Sequence, residues 1–282
     1  MLRKKITIIF FSGLMALSLS AFASHPADEK ETEIAINTTM GRIVVKLYNQ
    51  TPKSRDNFIK LVNKKFYDST LFHRVIQTFM IQGGDPTSKH AATGVMLGNG
   101  DAGYTVPAEF VPSLFHKKGA LAAARQGDDV NPTKASSGCQ FYIVQGKVYT
   151  DAELDMYEQR VNMGQKQKIF TDLISHPEYA SAKQRFIQFQ NDNNIDSLRG
   201  MSQKFEPLID SVYKTVSHFS FTPEQRKAYT TVGGAPHLDG NYTVFGEVTE
   251  GLDVVDKIAA VKVDGNSRPL EDVRILSMEI VK

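Results

Sequence analysis

Cysteine is almost absent. Cys139 is the single one in 282 residues, so no intramolecular disulfide can form, even in an oxidising compartment. A lone thiol can serve as a nucleophile, but the neighbouring Phe141 and Ile143 point to a small buried filler. An excess of either charge is also missing. Thirty-three Lys and Arg face 31 Asp and Glu, a net charge of +2, which gives no footing for nucleic acid. The histidines are scattered without ligand spacing, so no metal site is expected, and no cofactor either. The long apolar run at residues 6–19 sits at the very start. It follows Arg3, Lys4 and Lys5 and precedes the small-x-small triplet Ala21-Phe22-Ala23. This pattern is that of a secretory signal peptide over residues 1–23, the run being short for a membrane anchor. The mature chain is then expected to be exported, periplasmic or extracellular, with no stable membrane span. The junction has no cysteine, which argues against a lipoprotein.

What remains is ordinary for a globular chain, with 41% apolar and 23% charged residues. It is long enough for one sizeable core with an appended element. Residues 24–32 are charged and contain Pro26, and read as a flexible tether. Ile34, Ile36, Ile43, Val45 and Leu47 alternate with polar residues around Met40-Gly41, the pattern of a β-hairpin with one buried face. Thr51-Pro52 marks a helix start, with a capping hydroxyl and Pro in the first turn, and Phe58, Leu61 and Val62 supply its apolar stripe.

The most informative stretch is Phe72-His73-Arg74-Val75-Ile76-Gln77-Thr78-Phe79-Met80-Ile81-Gln82-Gly83-Gly84-Asp85. It reads as two short apolar strands, residues 70–76 and 79–82, closed by a Gly-Gly-Asp turn. Arg74 lies among Phe72, Val75, Phe79 and Met80, and Arg is seldom buried without a partner. Taken alone, it would be read as an edge-strand Arg that snorkels to water.

The whole string resembles the signature of the cyclophilins, the peptidyl-prolyl cis-trans isomerases, F-H-R-[VI]-[IV]-x-x-F-M-[IV]-Q-G-G-D. Two further stretches support the resemblance. Ser137-Gly138-Cys139-Gln140-Phe141-Tyr142-Ile143 is similar to [NS]-G-S-Q-F-F-I, with Cys139 for Ser and Tyr142 for Phe. His237-Leu238-Asp239-Gly240 followed by Val244-Phe245-Gly246 is similar to W-L-D-G…V-F-G, with His237 for Trp. Gly98-x-Gly100-x-x-Gly103 satisfies a dinucleotide fingerprint, but no long strand precedes it and Pro107 stands where a helix should run, so it reads as a loop. Residues 119–125 are small and apolar, helix or strand by pattern; the resemblance implies a strand.

Between residues 147 and 236 the alternation stops and helical spacing takes over. Thr150-x-x-Glu153 is a capping box, and Thr222-Pro223 opens another helix. Eleven Lys or Arg balance eleven Asp or Glu there. The segment is expected to be a helical insertion of four or five helices. The resemblance covers residues 34–145 and 237–281. It implies a mainly β fold: a closed, eight-stranded antiparallel barrel with two flanking helices, formed from residues 33–146 and 237–282 and interrupted by the insertion at 147–236.

The resemblance further implies an enzyme that rotates X-Pro peptide bonds, assisting the folding of exported proteins. Its partners would be proline-containing peptides and unfolded or flexible protein segments, and a monomer is expected. Rotation breaks no bond; it must cross a barrier of roughly 18–20 kcal/mol as amide resonance is lost. By resemblance, Arg74 donates to the prolyl nitrogen in the twisted state, and Gln82 orients the guanidinium. Phe79, Met80, Tyr142 and Leu238 line the proline pocket, and His237 and Tyr242 stand at the positions of the family's Trp and site His. Ala124, Arg125 and Gln140 hold the peptide. Loss of the Trp implies weak cyclosporin binding. The alternative is a peptide-binding chaperone with little catalysis, built on the same barrel.

Overall fold

The structure, a computed structural model, describes residues 30–282. The expected signal peptide at 1–23 and most of the tether at 24–32 lie outside the described residues. The chain begins with β1 (Glu33–Thr38) and β2 (Gly41–Leu47), then α1 (Pro52–Asn63), β3 (Arg74–Ile76) and β4 (Met80–Gly83). After a loop come β5 (Thr105–Val106), β6 (Ala120–Ala123), β7 (Ser136–Ser137) and β8 (Phe141–Val144). Four helices follow: α2 (Asp151–Ile174), α3 (Ala180–Asn191), α4 (Ile195–Tyr213) and α5 (Pro223–Thr231). The chain ends with β9 (Val244–Glu250), α6 (Leu252–Ala259) and β10 (Ile275–Ile280).

Eight strands form one antiparallel sheet in the order β10-β1-β2-β9-β6-β8-β4-β3, while β5 and β7 pair separately. The expected closed barrel is not formed: the sheet is curled but open, and its edge strands β10 and β3 do not pair. The chain just ahead of each edge strand spans the gap instead. Leu71 and Arg274 form a single bridge. Phe72 N–H donates to Val273 O at 2.9 Å and Ile275 N–H to Thr70 O at 2.8 Å. A regular ladder is interrupted there because Ser69 and Ser267 have φ of 68° and 65°, and Pro269 has no N–H to give.

Strand periodicity sorts the side chains onto two faces. Ile34 pairs with Val45 and Ile36 with Ile43, all fully buried. Together with Ile81, Leu121, Phe141, Ile143 and Phe245 they fill the inner core, closed by Phe58, Leu61 and Val62 of α1 and Val254, Val255 and Ile258 of α6. Burying each such large side chain contributes roughly 1.5–3 kcal/mol. The alternate residues, Met80, Ala120, Ala122, Tyr142 and Val144, form a second cluster on the other face. This explains the ambiguous segment at 119–125. β6 is covered on both faces, so its residues are all buried and no alternation shows.

α1 starts where expected, but not by the expected cap. Thr51 makes no capping bond; its hydroxyl turns to Tyr48 O at 3.4 Å. Glu109 caps from a distant loop, accepting from Lys53 N–H at 3.0 Å, Ser54 N–H at 2.9 Å and Ser54 Oγ at 2.8 Å. The capping box expected at Thr150/Glu153 is present, and the helix that opens at Thr222 has a second one, with Gln225. Helices α2 to α4 share their own small core of Phe170, Ile174, Met201 and Ile209. The two ends of the helical segment meet: Lys147 and Gly234 exchange backbone bonds at 3.2 and 2.9 Å. Glycine is required at this neck, since a Cβ on Gly146 would stand 2.4 Å from Gly234 Cα.

Candidate active site

Three neighbouring strands place the site. In β3 and β4, Arg74 sits directly opposite Gln82, and in β4 and β8, Gln82 sits opposite Tyr142. Their side chains therefore share one face. Arg74 Nη1 donates to Gln82 Oε1 at 3.2 Å and touches Met80 Sδ at 3.8 Å. Gln82 Nε2 donates to Gln140 Oε1 at 3.0 Å, and Gln140 Nε2 donates to Gly98 O at 2.8 Å and Gly100 O at 2.7 Å. The two amides can point only one way in this chain. The buried Gln140 is saturated by it, so Gln140 holds Gln82 and the 98–100 loop. Arg74 is half-buried and, among the described residues, has no carboxylate partner. Most of its five donors stay available.

Beside the guanidinium lies the apolar cluster. Phe79, Met80, Ala124, Tyr142, Leu238 and Tyr242 all belong to it. Phe79 is set at the end of the β3–β4 turn, where Thr78 takes φ 63°. Gln145 braces this turn by accepting from Thr78 N–H at 2.5 Å, and Gln145 and Gly146 N–H both donate to Phe79 O at 3.0 Å. His237 packs its ring on Phe79 with centroids 5.1 Å apart. Burial lowers the pKa of His237 from its ordinary value. Tyr142 and Tyr242 meet edge to face at 6.0 Å.

Arg125 is engaged elsewhere. Its Nε donates to Asn241 O at 2.7 Å, its Nη1 reaches Asp128 at 2.7 Å, and its guanidinium lies 4.5 Å over the Tyr242 ring. Ala124 gives its N–H to Gln140 O and accepts from Ser137 N–H. The side chain of Arg125 thus stiffens the rim, and the Ala124 N–H is already paired within the sheet. A cleft of about 620 Å³ adjoins Gln82, Ala124, Arg125 and Gln140 on the side of the 98–105 loop. All eleven residues singled out from sequence come together at this face. Gln145, His116 and Asp239 were not singled out. His116 lies under the Tyr142 hydroxyl at 3.0 Å.

The profile of the family described as "Cyclophilin type peptidyl-prolyl cis-trans isomerase/CLD" matches residues 33–197 and 215–280. The chain belongs to the cyclophilins. Two curated relatives are each named "Putative peptidyl-prolyl cis-trans isomerase". The one from Staphylococcus aureus (strain USA300) is 30% identical over 264 residues, covering 92% of this chain and 98% of the relative. The one from Staphylococcus saprophyticus is 30% identical over 253 residues, covering 89% and 93%. Among solved structures, a cyclophilin-type peptidyl-prolyl cis-trans isomerase of Cryptosporidium parvum aligns with a TM-score of 0.51 at 18% identity, covering 90% of this chain and 99% of its own. That likeness concerns the fold.

Two other sequence features take their place in this cyclophilin. Cys139 is buried in the inner core, and burial pushes its thiol up to about 11, far from the thiolate a nucleophile needs. The Gly98–Gly103 stretch is a loop and opens no helix. Among the described residues no helix is long and apolar enough to cross a membrane, and no group of three His, Cys, Asp or Glu could hold a metal ion.

Proposed function

We propose that this cyclophilin is exported and accelerates X-Pro rotation in unfolded or flexible segments of other exported proteins. One observation carries the reading: Arg74 is held by the Gln82–Gln140 chain at the edge of an apolar cluster, with no carboxylate partner among the described residues. The proline ring lies on Phe79, Met80, Tyr142 and Leu238, with Tyr242 and His237 at the rim. As the amide twists, resonance is lost and the prolyl nitrogen regains a lone pair. A fixed guanidinium N–H donates to that nitrogen in the twisted state and has nothing to donate to in the planar one. This is differential stabilisation of the transition state. Gln82 keeps the guanidinium in place, so little reorganisation accompanies the reaction. Weak cyclosporin binding is proposed on the ground of His237.

The test is isomerisation of a short Ala-Pro peptide by the mature chain. Wild type should accelerate it, and Arg74→Ala, with its fold confirmed, should lose roughly 10²-fold or more in kcat/KM, the usual worth of one transition-state donor. A variant with full activity overturns the role of Arg74; an inactive wild type overturns the enzyme reading. Exposed Met156 and Met163, seven residues apart on α2, favour a second role in holding apolar segments. Suppression of client aggregation that survives Arg74→Ala would separate this role from catalysis.

A further inference from the structure

Beneath the pocket floor runs a closed chain of hydrogen bonds that the proposed reaction does not itself require. Asp239 Oδ1 lies 2.9 Å from His116 backbone N and 2.8 Å from His116 Nδ1, and Asp239 Oδ2 lies 2.5 Å from the Tyr229 hydroxyl. His116 Nε2 lies 3.0 Å from the Tyr142 hydroxyl. His116 and Tyr229 are both fully buried.

The direction of the chain follows from chemistry. An ionised carboxylate only accepts, so His116 carries its proton on Nδ1. With a single proton on the ring, Nε2 has a lone pair and accepts from the Tyr142 hydroxyl. The donors run Tyr142 to His116 to Asp239, and Tyr229 donates to Asp239 from the far side. Two consequences follow for the pocket. The Tyr142 donor is spent below the floor, so the residue meets the pocket with its ring alone. Its ring plane is also fixed: it stacks over His116 at 6.0 Å and 13°, and meets Tyr242 edge-on. His116 holds a second part of the wall as well, because its carbonyl accepts from Ala235 N–H at 2.8 Å, and Ala235 O accepts from Leu238 N–H.

We propose that His116 and Asp239 are positioning residues that lock Tyr142 as an apolar wall of the proline pocket, and that Tyr229 of α5 braces them, coupling the helical segment to substrate binding. The proposal rests on the proline-pocket reading above. It explains why a tyrosine is accepted in a buried apolar wall, since a hydroxyl there needs an acceptor beneath it. It also gives the helices α2 to α5 a role at the site without any of their residues joining the pocket cluster.

Two measurements on the full mature chain test it. The first is the ¹⁵N NMR signature of His116 in histidine-labelled protein. A neutral ring protonated at Nδ1 is expected; a proton on Nε2, in a neutral or a charged ring, overturns the proposal. The second is His116→Leu, made in the wild-type and Tyr142→Phe backgrounds and assayed on the Ala-Pro peptide. In the wild-type background KM should rise about tenfold with kcat within about twofold, the worth of one buried hydrogen bond spent on binding geometry. In the Tyr142→Phe background the rise should be at least about threefold smaller, because no hydroxyl is left to orient. Equal losses in both backgrounds mean a merely structural role and overturn it. Tyr229→Phe should raise KM by about threefold, again with kcat kept. Should the His116 variants fail to fold, the tautomer and Tyr229→Phe decide. Should wild type show no isomerisation, the enzyme reading falls, and the tautomer together with Ala-Pro dipeptide affinity in place of KM still tests the chain.

Discussion

His73 stands next to Arg74 in the sequence and does the opposite work. It is 3% exposed, its ring nitrogens have no hydrogen-bond partner among the described residues, and burial pushes its pKa down to about 4 from an ordinary 6.5. The folded chain therefore keeps His73 neutral, while the unfolded chain protonates it below pH 6.5. Stability from this residue is whole above pH 6.5 and declines as pH falls toward 4, by on the order of 3 kcal/mol at full extent. Melting temperatures between pH 7 and 4.5 should fall more steeply for wild type than for His73→Gln; parallel curves would refute the assignment. Asp85 shows the reverse case. Burial opposes its charge, but bonds from Thr87 and Gly98 outweigh that and hold its pKa below the usual range. At this scale the sequence was legible where a motif names chemistry and silent where a partner is remote. Arg74 and Gln82 face each other across β3 and β4, and Phe79, Met80, Tyr142 and Leu238 cluster beside them. The side chains of Gln140 and Arg125 bond to the 98–100 loop and to Asn241 and Asp128, contacts that no local pattern discloses. Nothing near Tyr142 in sequence discloses His116, 26 residues away, because a buried hydroxyl's acceptor is chosen by the fold.

Elements were legible through periodicity and misread at their ends. The stripe of α1, the capping box at Thr150 and the helix start at Thr222 follow from local pattern. The cap of α1 does not, because Glu109 reaches it from 55 residues away. That carboxylate satisfies two free N–H groups and sits favourably at the positive end of the helix. Glu109→Ala should destabilise the protein by about 1 kcal/mol, near 2–4 °C in melting temperature for a chain this long, with isomerase activity unchanged. Thr51→Val should cost distinctly less, because the Thr51 hydroxyl does not cap. Comparing the two melts decides which residue is the cap. The strand expected over residues 70–76 shrinks to Arg74–Ile76 for a similar reason. Residues 69–72 bond instead to 273–275, a partner no local pattern discloses, and these few bonds span the gap between the sheet's edges without building a ladder.

At the scale of the whole molecule, the question is whether the helices between β8 and β9 belong to the folding unit of the sheet. Core composition argues that they do not. Neither cluster of the sheet contains a residue from 149–232, and α2 to α4 have a separate core. One small cluster joins the two: Leu154, Phe221 and Tyr229 pack with Phe115 and Tyr149. The neck is narrow and already hairpin-like, since Lys147 and Gly234 face each other as an antiparallel bridge. The hydrophobic pattern showed the change from alternating to helical spacing near residue 147, but it could not show that the ends meet. Replacing residues 148–233 with Asn-Gly, the preferred two-residue turn of a hairpin, should therefore leave a chain that folds cooperatively. On the sheet side Phe115 loses its cover and Asp239 loses the Tyr229 hydroxyl, and loss of this brace should raise KM for a short Ala-Pro peptide about as much as Tyr229→Phe does, roughly threefold, with kcat kept. Activity on an unfolded protein client should fall further than on the peptide if Met156 and Met163 hold apolar segments. A shortened chain that melts without a cooperative transition would show instead that the helices are part of the sheet's own fold, with the cluster around Tyr229 the joint between them.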